Sequence, residues 1–161
     1  MKGWFMEDFA PGEHWVIGSH HFTREALLSF NRRFDPVGFH IDDEAAAKSP
    51  YGRITAAGLH VACGWMVCYL NHASAVREEL ARRGMPLPEM GPSPGFRNMK
   101  WLKPVYAGDT VTYSGVVKSL RPMASRPGWG LMFGLHQGHN QHGELVFAYE
   151  GVVLVQARSA I

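Results

Sequence analysis

The stretch from Thr55 to about Arg83 limits most strongly what this chain can fold into, because it is long and apolar. No Asp or Glu occurs from Thr55 to Arg77. Apolar residues recur there at helical spacing, and others fill the remaining sides. A helix that is apolar on most of its faces is normally buried. Gly64 inside it predicts close approach by a neighbouring backbone. The sequence therefore predicts one long central helix. The residues of the repeating series are Leu59, Ala62, Cys63, Met66, Leu70 and Ala73.

Segments that read as strands lie on both sides of this helix. One runs from His14 to Phe22, and the others follow the helix, at Met99–Val105, around Val111–Val117, around Leu131–Leu135 and at Leu145–Val155. Five strands with one long helix predict an α+β fold, an antiparallel five-stranded sheet wrapped around that helix. A length of 161 residues predicts a single domain, 1–161.

Composition excludes several classes of protein. The chain is 46% hydrophobic and 19% charged, as soluble globular proteins are. A net charge of +2 is too small to indicate nucleic-acid binding, and no run is long enough to span a membrane. The first residues lack the apolar stretch of a signal peptide. We expect Cys63 and Cys68 to be reduced core thiols of a cytoplasmic protein.

The segment from Phe34 to Asp42 places a carboxylate and an imidazole five residues apart. Pro36 fixes its own φ and keeps Asp35 out of the helical region, and Gly38 permits a tight turn. The bend can aim Asp35 and His40 at one point, which the apolar neighbours Phe34 and Phe39 place against the core. Such a pair can hold a water and move protons. The structural alternative is that Asp35 caps a helix and His40 is a satisfied core residue.

Gly58 stands close to the predicted start of the central helix. Free backbone N–H groups at a helix start, together with the positive end of the helix dipole, can stabilise a developing oxyanion. The sequence thus contains a candidate acid–base pair followed by a candidate oxyanion site. Hydration of an acyl thioester requires both.

Two motifs carry a resemblance to a known family. Asp35, Phe39, His40, Asp42 and Ala46 form the pattern Asp-x-x-x-Phe-His-x-Asp-x-x-x-Ala, followed by Ser-Pro-Tyr-Gly and a small residue plus Gly. The later segment 100–110, Lys-Trp-Leu-Lys-Pro-Val-Tyr-Ala-Gly-Asp-Thr, is similar to a Trp-Leu-x-Pro-Val-x-x-Gly-Asp signature. Both resemble the MaoC-like dehydratases, hot-dog-fold relatives of the (R)-specific enoyl-CoA hydratases.

The resemblance implies a function and a site. It implies a hydro-lyase that adds water reversibly to a trans-2-enoyl thioester. Asp35 and His40 would form the acid–base pair, and the Gly58 N–H would be the oxyanion donor. Val37 replaces the Asn of the best-known hydratase pattern, and Met66 stands where some members have a Ser near the thioester. No metal or redox cofactor is implied, because water addition to a conjugated thioester needs only proton transfer and charge stabilisation. Coenzyme A enters as part of the substrate.

Further residues are candidates for binding an acyl-CoA thioester. Arg53, Lys100 and Lys103 could contact the phosphates of coenzyme A, and Trp65 and Met66 could shape the acyl pocket. For each of them a surface charge or core packing is the alternative. A separate series, His136, His139 and His142, has no Asp or Cys beside it, so we predict no metal site.

Two rival functions remain at the level of sequence. A hot-dog thioesterase often uses a carboxylate on the central helix, and none occurs here from Thr55 to Arg77. A non-catalytic module that binds acyl thioesters is the other rival. We also expect at least a homodimer. One helix can cover only one face of a five-stranded sheet, and the sheet keeps two edges, which are normally covered or paired. The resemblance implies the same arrangement, with fatty-acid metabolism as the setting.

Overall fold

The computed structural model describes residues 3–158 of the 161-residue chain. A short 3₁₀ helix, Met6–Asp8, precedes the first strand. The elements then follow as β1 His14–His21, α1 Arg24–Phe34, α2 Gly38–Ile41, α3 Asp43–Ala47, α4 Gly58–Arg82, β2 Gly95–Trp101, β3 Thr110–Pro122, β4 Trp129–His139 and β5 Leu145–Gln156. No helix in this part of the chain is long and apolar enough to cross a membrane.

The five strands form one antiparallel sheet in the order β1-β3-β4-β5-β2. β3, β4 and β5 form its long centre, and β1 and β2 are the two edges. Helix α4 packs across the inner face of this sheet and contacts β1 in particular. The predicted α+β hot-dog architecture, a sheet wrapped around a long central helix, is confirmed.

Close contact between α4 and β3 fixes the position of the central helix. The hydroxyl of Tyr113, which is fully buried, donates to the Val61 carbonyl at 2.7 Å. A Cβ on Gly64 would lie 2.9 Å from the Tyr113 hydroxyl oxygen and 3.0 Å from the Phe22 ring. The close approach predicted at Gly64 is therefore real, but side chains rather than a backbone make it. Burying Phe22 and Tyr113 contributes about 1.5–3 kcal/mol each.

Helix α4 begins three residues later than predicted. Thr55 forms an isolated bridge with Tyr106, and the Ala56 N–H donates to the Val105 carbonyl at 2.7 Å. These long-range bonds hold the segment before Gly58 in an extended conformation. These contacts with the segment that follows β2 therefore set the position and direction of the first turn of α4.

Two other predicted boundaries were wrong. The first strand after α4 spans Gly95–Trp101 rather than Met99–Val105. Its pairing partner β5 is reached from Gly95 onward, and Pro104 has no N–H to offer a ladder. The strand predicted around Leu131–Leu135 is longer, Trp129–His139, and the turn after it occupies 140–143.

One face of α4 is apolar and exposed, contrary to the prediction that the whole helix is buried. Cys63 also belongs to this face, so the prediction that it is a core thiol was wrong, whereas Cys68 is buried. An apolar stripe at helical spacing next to an unpaired sheet edge has the character of a contact surface. The exposed apolar side chains of this stripe are Leu59, Met66, Val67 and Leu70, and Phe96, Trp101 and Leu102 lie exposed on and just after β2.

A cluster of aromatic rings fills the space between α4 and the sheet. Trp65 stacks on Tyr69 and meets the His136 ring edge-on at 4.8 Å, while His136 stacks on Tyr149. The His136 Nδ1 is buried and has no hydrogen-bond partner among the described residues. Burial lowers the pKa of His136 to about 4. The imidazole is therefore an uncharged core ring.

We predict that acid destabilises the fold partly through His136. The unfolded chain takes up this proton near the ordinary pKa of 6.5, whereas the folded chain resists it down to about 4. The unfolded state thus binds more protons in this window, so the free energy of unfolding falls as pH drops through it. His136→Phe should make that decline shallower in urea unfolding measured across the window. His142→Gln, in the exposed β4–β5 turn, should leave the slope unchanged. An unaltered slope in His136→Phe would contradict the assignment.

Candidate functional site

The bend between α1 and α2 is built by short local hydrogen bonds. The Asp35 N–H caps α1 by donating to the Asn31 carbonyl at 2.8 Å, and Asp35 itself leaves the helical conformation before Pro36. The chain re-enters a helix at Gly38, whose Cβ would lie 3.1 Å from the Ala45 Cβ. Gly38 thus packs closely against α3, and its φ is not positive.

His40 is buried, and its hydrogen bonds fix which nitrogen carries the proton. Nδ1 lies 2.8 Å from the Thr55 carbonyl oxygen and 3.1 Å from the Thr55 hydroxyl. A carbonyl oxygen can only accept, so Nδ1 carries the hydrogen in the neutral ring. Nε2 is then left with a lone pair.

Nε2 of His40 faces Asp35 across a short gap. The distance from Nε2 to the Asp35 Oδ2 is 3.5 Å, and the Asp35 side chain is 42% exposed. In this tautomer both atoms are hydrogen-bond acceptors, so they do not bond to each other directly. A water that lies beside the pair and donates one hydrogen to each atom would satisfy both. The structure therefore places the predicted pair together and points it toward solvent.

The surroundings of the pair are less enclosed than the sequence suggested. Phe34 is 61% exposed and Val37 is 46% exposed, so they do not seal Asp35 against the core of this chain. Phe39 packs its ring against His40 and against Tyr51. Phe39 and Tyr51 therefore form one side of the site, and the other side is open and apolar.

Helix α4 presents its first turn to the same region. The N-cap Ala57 provides no side-chain cap, and the Gly58 N–H makes no hydrogen bond within residues 3–158. A helix of 25 residues adds its dipole to this free donor. His60, in the same turn, is buried against Phe30. Burial, and secondarily the proximity of His20, lowers the pKa of His60 to about 4, so it adds no positive charge at neutral pH.

Trp101 covers Gly58. Its indole Nε1 donates to the Gly58 carbonyl at 2.7 Å, and a Cβ on Gly58 would lie 2.8 Å from the Trp101 ring. Trp101 was noted in the sequence only as part of the second motif. Its position gives that motif a physical role at the start of α4.

Asn31 and Thr55 were not predicted to belong to the site. Asn31 is fully buried and bonds to the carbonyls of His40 and Thr55 and to the Ala57 N–H. The sequence feature that indicates this role is an Asn one turn before Asp35, on the same face of α1 as the apolar Leu27. An amide on an apolar face must find partners, and here the partners are parts of the site.

The predicted acyl-pocket residues lie on different faces of α4. Met66 is 48% exposed on the apolar stripe, whereas Trp65 is buried in the aromatic cluster with Tyr69, His136 and Tyr149. Trp65 therefore packs the interior of this chain. A cavity near Tyr69 lies toward the other end of α4 from Gly58 and is separate from the Asp35–His40 pair.

The three predicted cationic residues are not brought together as one cluster. Arg53 lies over the Tyr106 ring at 4.0 Å. Lys103 pairs with Glu144, and the hydrogen bonds from Lys103 and Asn140 lower the pKa of that carboxyl. Lys100 is exposed on the edge strand β2. In residues 3–158 no group of three His, Cys, Asp or Glu side chains could hold a metal ion.

Comparisons with known proteins identify the fold. No family model matches the chain. The uncharacterised protein YdeM of Bacillus subtilis is 23% identical over 151 residues, which cover 94% of this chain and 98% of YdeM. The crystal structure of a MaoC-like dehydratase from Rhodospirillum rubrum superposes with a TM-score of 0.76 at 29% identity, covering 97% of this chain and 99% of that one. The chain has a MaoC-like hot-dog fold.

A second solved structure extends the comparison to a named hydratase. The (R)-hydratase of A. caviae, described as involved in PHA biosynthesis, matches with a TM-score of 0.62 at 21% identity over 90% of this chain and 96% of that chain. At this identity the match concerns the fold. The family resemblance first drawn from the two motifs is thus confirmed by the MaoC-like fold.

We predict that Gly58→Val folds but displaces Trp101. The added side chain would meet the indole, and Trp101 is half exposed and can swing outward. Its Nε1–H should lose the bond to the Gly58 carbonyl, which is measurable as a shift of one indole N–H resonance in the ¹⁵N–¹H spectrum. Trp101→Phe identifies that resonance by removing it. A Gly58→Val spectrum with this resonance unmoved would show that the contact is absent.

Proposed function

We propose that this protein is a hydro-lyase that reversibly adds water to a trans-2-enoyl thioester, giving a 3-hydroxyacyl thioester. The observation that carries the proposal is the facing pair of acceptors, His40 Nε2 and Asp35 Oδ2, 3.5 Å apart. The likeness to MaoC-like dehydratase and (R)-hydratase structures supports the same class of reaction.

The pair would hold and activate the attacking water. With both hydrogens donated to Nε2 and Oδ2, the water directs an oxygen lone pair outward, toward C3 of a bound enoyl group. One hydrogen passes to the pair as the hydroxyl adds to C3, and the pair delivers one proton to C2. The product gains one water, so the steps balance without any other reactant. Positioned acid–base groups of this kind contribute about 10²–10⁴-fold.

The start of α4 would stabilise the charge that develops on the thioester oxygen. Addition at C3 pushes electrons through the conjugated system onto that oxygen. The unpaired Gly58 N–H and the helix dipole supply a hydrogen bond and a positive potential there. His60 is neutral at neutral pH, because burial lowers its pKa to about 4. The backbone N–H and the helix dipole would therefore stabilise the oxyanion without a charged side chain.

The substrate we propose is an acyl-CoA thioester. Lys100, exposed on β2, and Arg53, held over Tyr106, remain candidates for the coenzyme A phosphates. Lys103 is less suited, because Glu144 already pairs with it. Met66 would contact the acyl group from the exposed face of α4. The free thiols of Cys63 and Cys68 fit a reducing, cytoplasmic setting.

We predict that Asp35→Asn and His40→Ala each lower turnover of an enoyl-CoA by about 10²–10⁴-fold. His40→Ala removes one of the two acceptors that hold the water, and Asp35→Asn replaces the basic carboxylate with a neutral amide. The matched control is Asp43→Asn, an exposed carboxylate three residues after His40 that pairs with Arg24. It should keep its activity. Near-normal turnover in both site variants would reject the acid–base assignment.

The assay itself separates the proposed reaction from its rivals. Loss of the enoyl absorbance of crotonyl-CoA identifies a hydratase. Release of free thiol from hexanoyl-CoA identifies a thioesterase, and binding of either compound without turnover identifies a binding module. A panel of enoyl-CoA substrates of different acyl length then defines the preferred chain.

We further propose that the protein works as a homodimer. The exposed stripe of α4 adjoins the unpaired edge strand β2, which carries the exposed Phe96 and Trp101. A second copy related by a two-fold axis would pair the edges and cover both stripes. It would also close the open apolar side of the site, where Phe34 and Val37 are exposed.

We predict that Leu70→Glu sediments as a monomer while the unchanged protein sediments as a dimer or larger assembly. A charge in the middle of the apolar stripe would be buried without a partner. Leu87→Glu places the same charge on an exposed apolar residue in the loop after α4 and should leave the assembly intact. A monomer of 17.9 kDa that turns over substrate would refute the dimer and the shared site.

A further inference from the structure

Asn31 uses its buried amide to join three separate segments. Nδ2 donates to the His40 carbonyl at 2.8 Å and to the Thr55 carbonyl at 3.0 Å, and Oδ1 accepts from the Ala57 N–H at 3.0 Å. Two carbonyls and one N–H are compatible with only one orientation of the amide group. Asn31 therefore ties helix α1 to the turn that carries His40 and to the segment that opens α4.

The Thr55 carbonyl is shared between Asn31 and His40. It accepts from the Asn31 Nδ2 and from the His40 Nδ1 at 2.8 Å. Both donors together hold this oxygen in place. The Ala56 N–H of the same peptide group also bonds to the Val105 carbonyl at 2.7 Å, so Asn31 is the side-chain tie that adds to this backbone tie in positioning the acceptor that sets the His40 tautomer.

Two acceptors compete for the single ring proton of neutral His40. The Thr55 carbonyl lies 2.8 Å from Nδ1, and the Asp35 carboxylate lies 3.5 Å from Nε2. N–H···O hydrogen bonds normally measure about 2.7–3.2 Å, and only the Thr55 contact falls in this range, so the present geometry favours Nδ1–H. A shift of the Thr55 carbonyl away from the ring would favour Nε2–H, which would then pair directly with Asp35. The water site beside Nε2 and Asp35 would be lost.

We propose that Asn31 is a positioning residue that fixes the Nδ1–H tautomer of His40 and holds the imidazole in register with the start of α4. The statement about the tautomer stands on the hydrogen bonds alone. Its consequence for catalysis rests on the proposed hydratase function. Asn31 does not contact the substrate in this arrangement.

The experiment is long-range ¹⁵N–¹H correlation NMR on histidine-labelled protein, at a pH where the His40 ring is neutral. His40→Gln identifies the His40 signals by their disappearance. The unchanged protein should show the Nδ1–H pattern for His40. Asn31→Ala should show a mixture that includes Nε2–H. Its kcat should fall by about tenfold to 10²-fold, the range for a small misplacement of a reacting group, with a smaller change in KM.

Thr23→Ala is the matched control. Thr23 caps the N-terminus of the same helix α1 through a bond from the Ala26 N–H and lies far along the helix from Asn31. Its loss weakens α1 without touching His40. The tautomer and kcat should both remain as in the unchanged protein, which separates positioning from general loss of stability.

Several results would overturn the proposal. An Nε2–H pattern in the unchanged protein would do so without any variant, so the test survives if Asn31→Ala fails to fold. A folded Asn31→Ala with an unchanged tautomer would do so as well, as would an equal change in Thr23→Ala. If the protein proves inactive on enoyl-CoA substrates but the tautomer shifts as expected, the hydratase proposal fails while the role of Asn31 stands.

Discussion

The packing of one apolar helix against the inner face of the sheet is the constraint on which the rest of this structure depends. Gly64 lets Tyr113 and Phe22 approach α4 closely, and the Tyr113 hydroxyl bonds to a carbonyl in the first half of the helix. This contact sets the height and rotation of α4 over the sheet. The position of Gly58, and hence of the free N–H at the helix start, follows from it.

The candidate site is assembled from segments that are distant in sequence. Three segments meet at the first turn of α4: the turn with Asp35 and His40, the extended residues before Gly58, and the end of β2 with Trp101. Asn31 and the Thr55 carbonyl join the first two of these segments, and the Trp101 indole covers Gly58. Hydrogen bonds to backbone groups, rather than side-chain pairs, hold the parts together. Their partners are peptide carbonyls and N–H groups, so they constrain positions that no side-chain motif records.

The open side of the site and the exposed stripe on α4 are both apolar surface that the single chain leaves uncovered. The single chain exposes Leu59, Met66 and Leu70, and it leaves one side of the edge strand β2 without a pairing partner. Apolar surface and strand edges of this kind are normally covered. A symmetric partner would resolve both. It would also supply a wall for the acyl group beside Met66, which the single chain lacks.

From the sequence alone, the class of the fold and the candidate acid–base pair could be predicted. Apolar periodicity over more than five turns is a local property that requires a buried helix, and a Pro between Asp35 and His40 forces the bend that brings them together. Only the tertiary structure decided where α4 begins, which face of it is exposed and what Gly38 does. Those features depend on long-range contacts, namely the bond from Ala56 to Val105, the sheet edge beside the helix and the close packing of Gly38 against Ala45. The role of Asn31 was hidden for the same reason, since its three partners lie 9, 24 and 26 residues away along the chain.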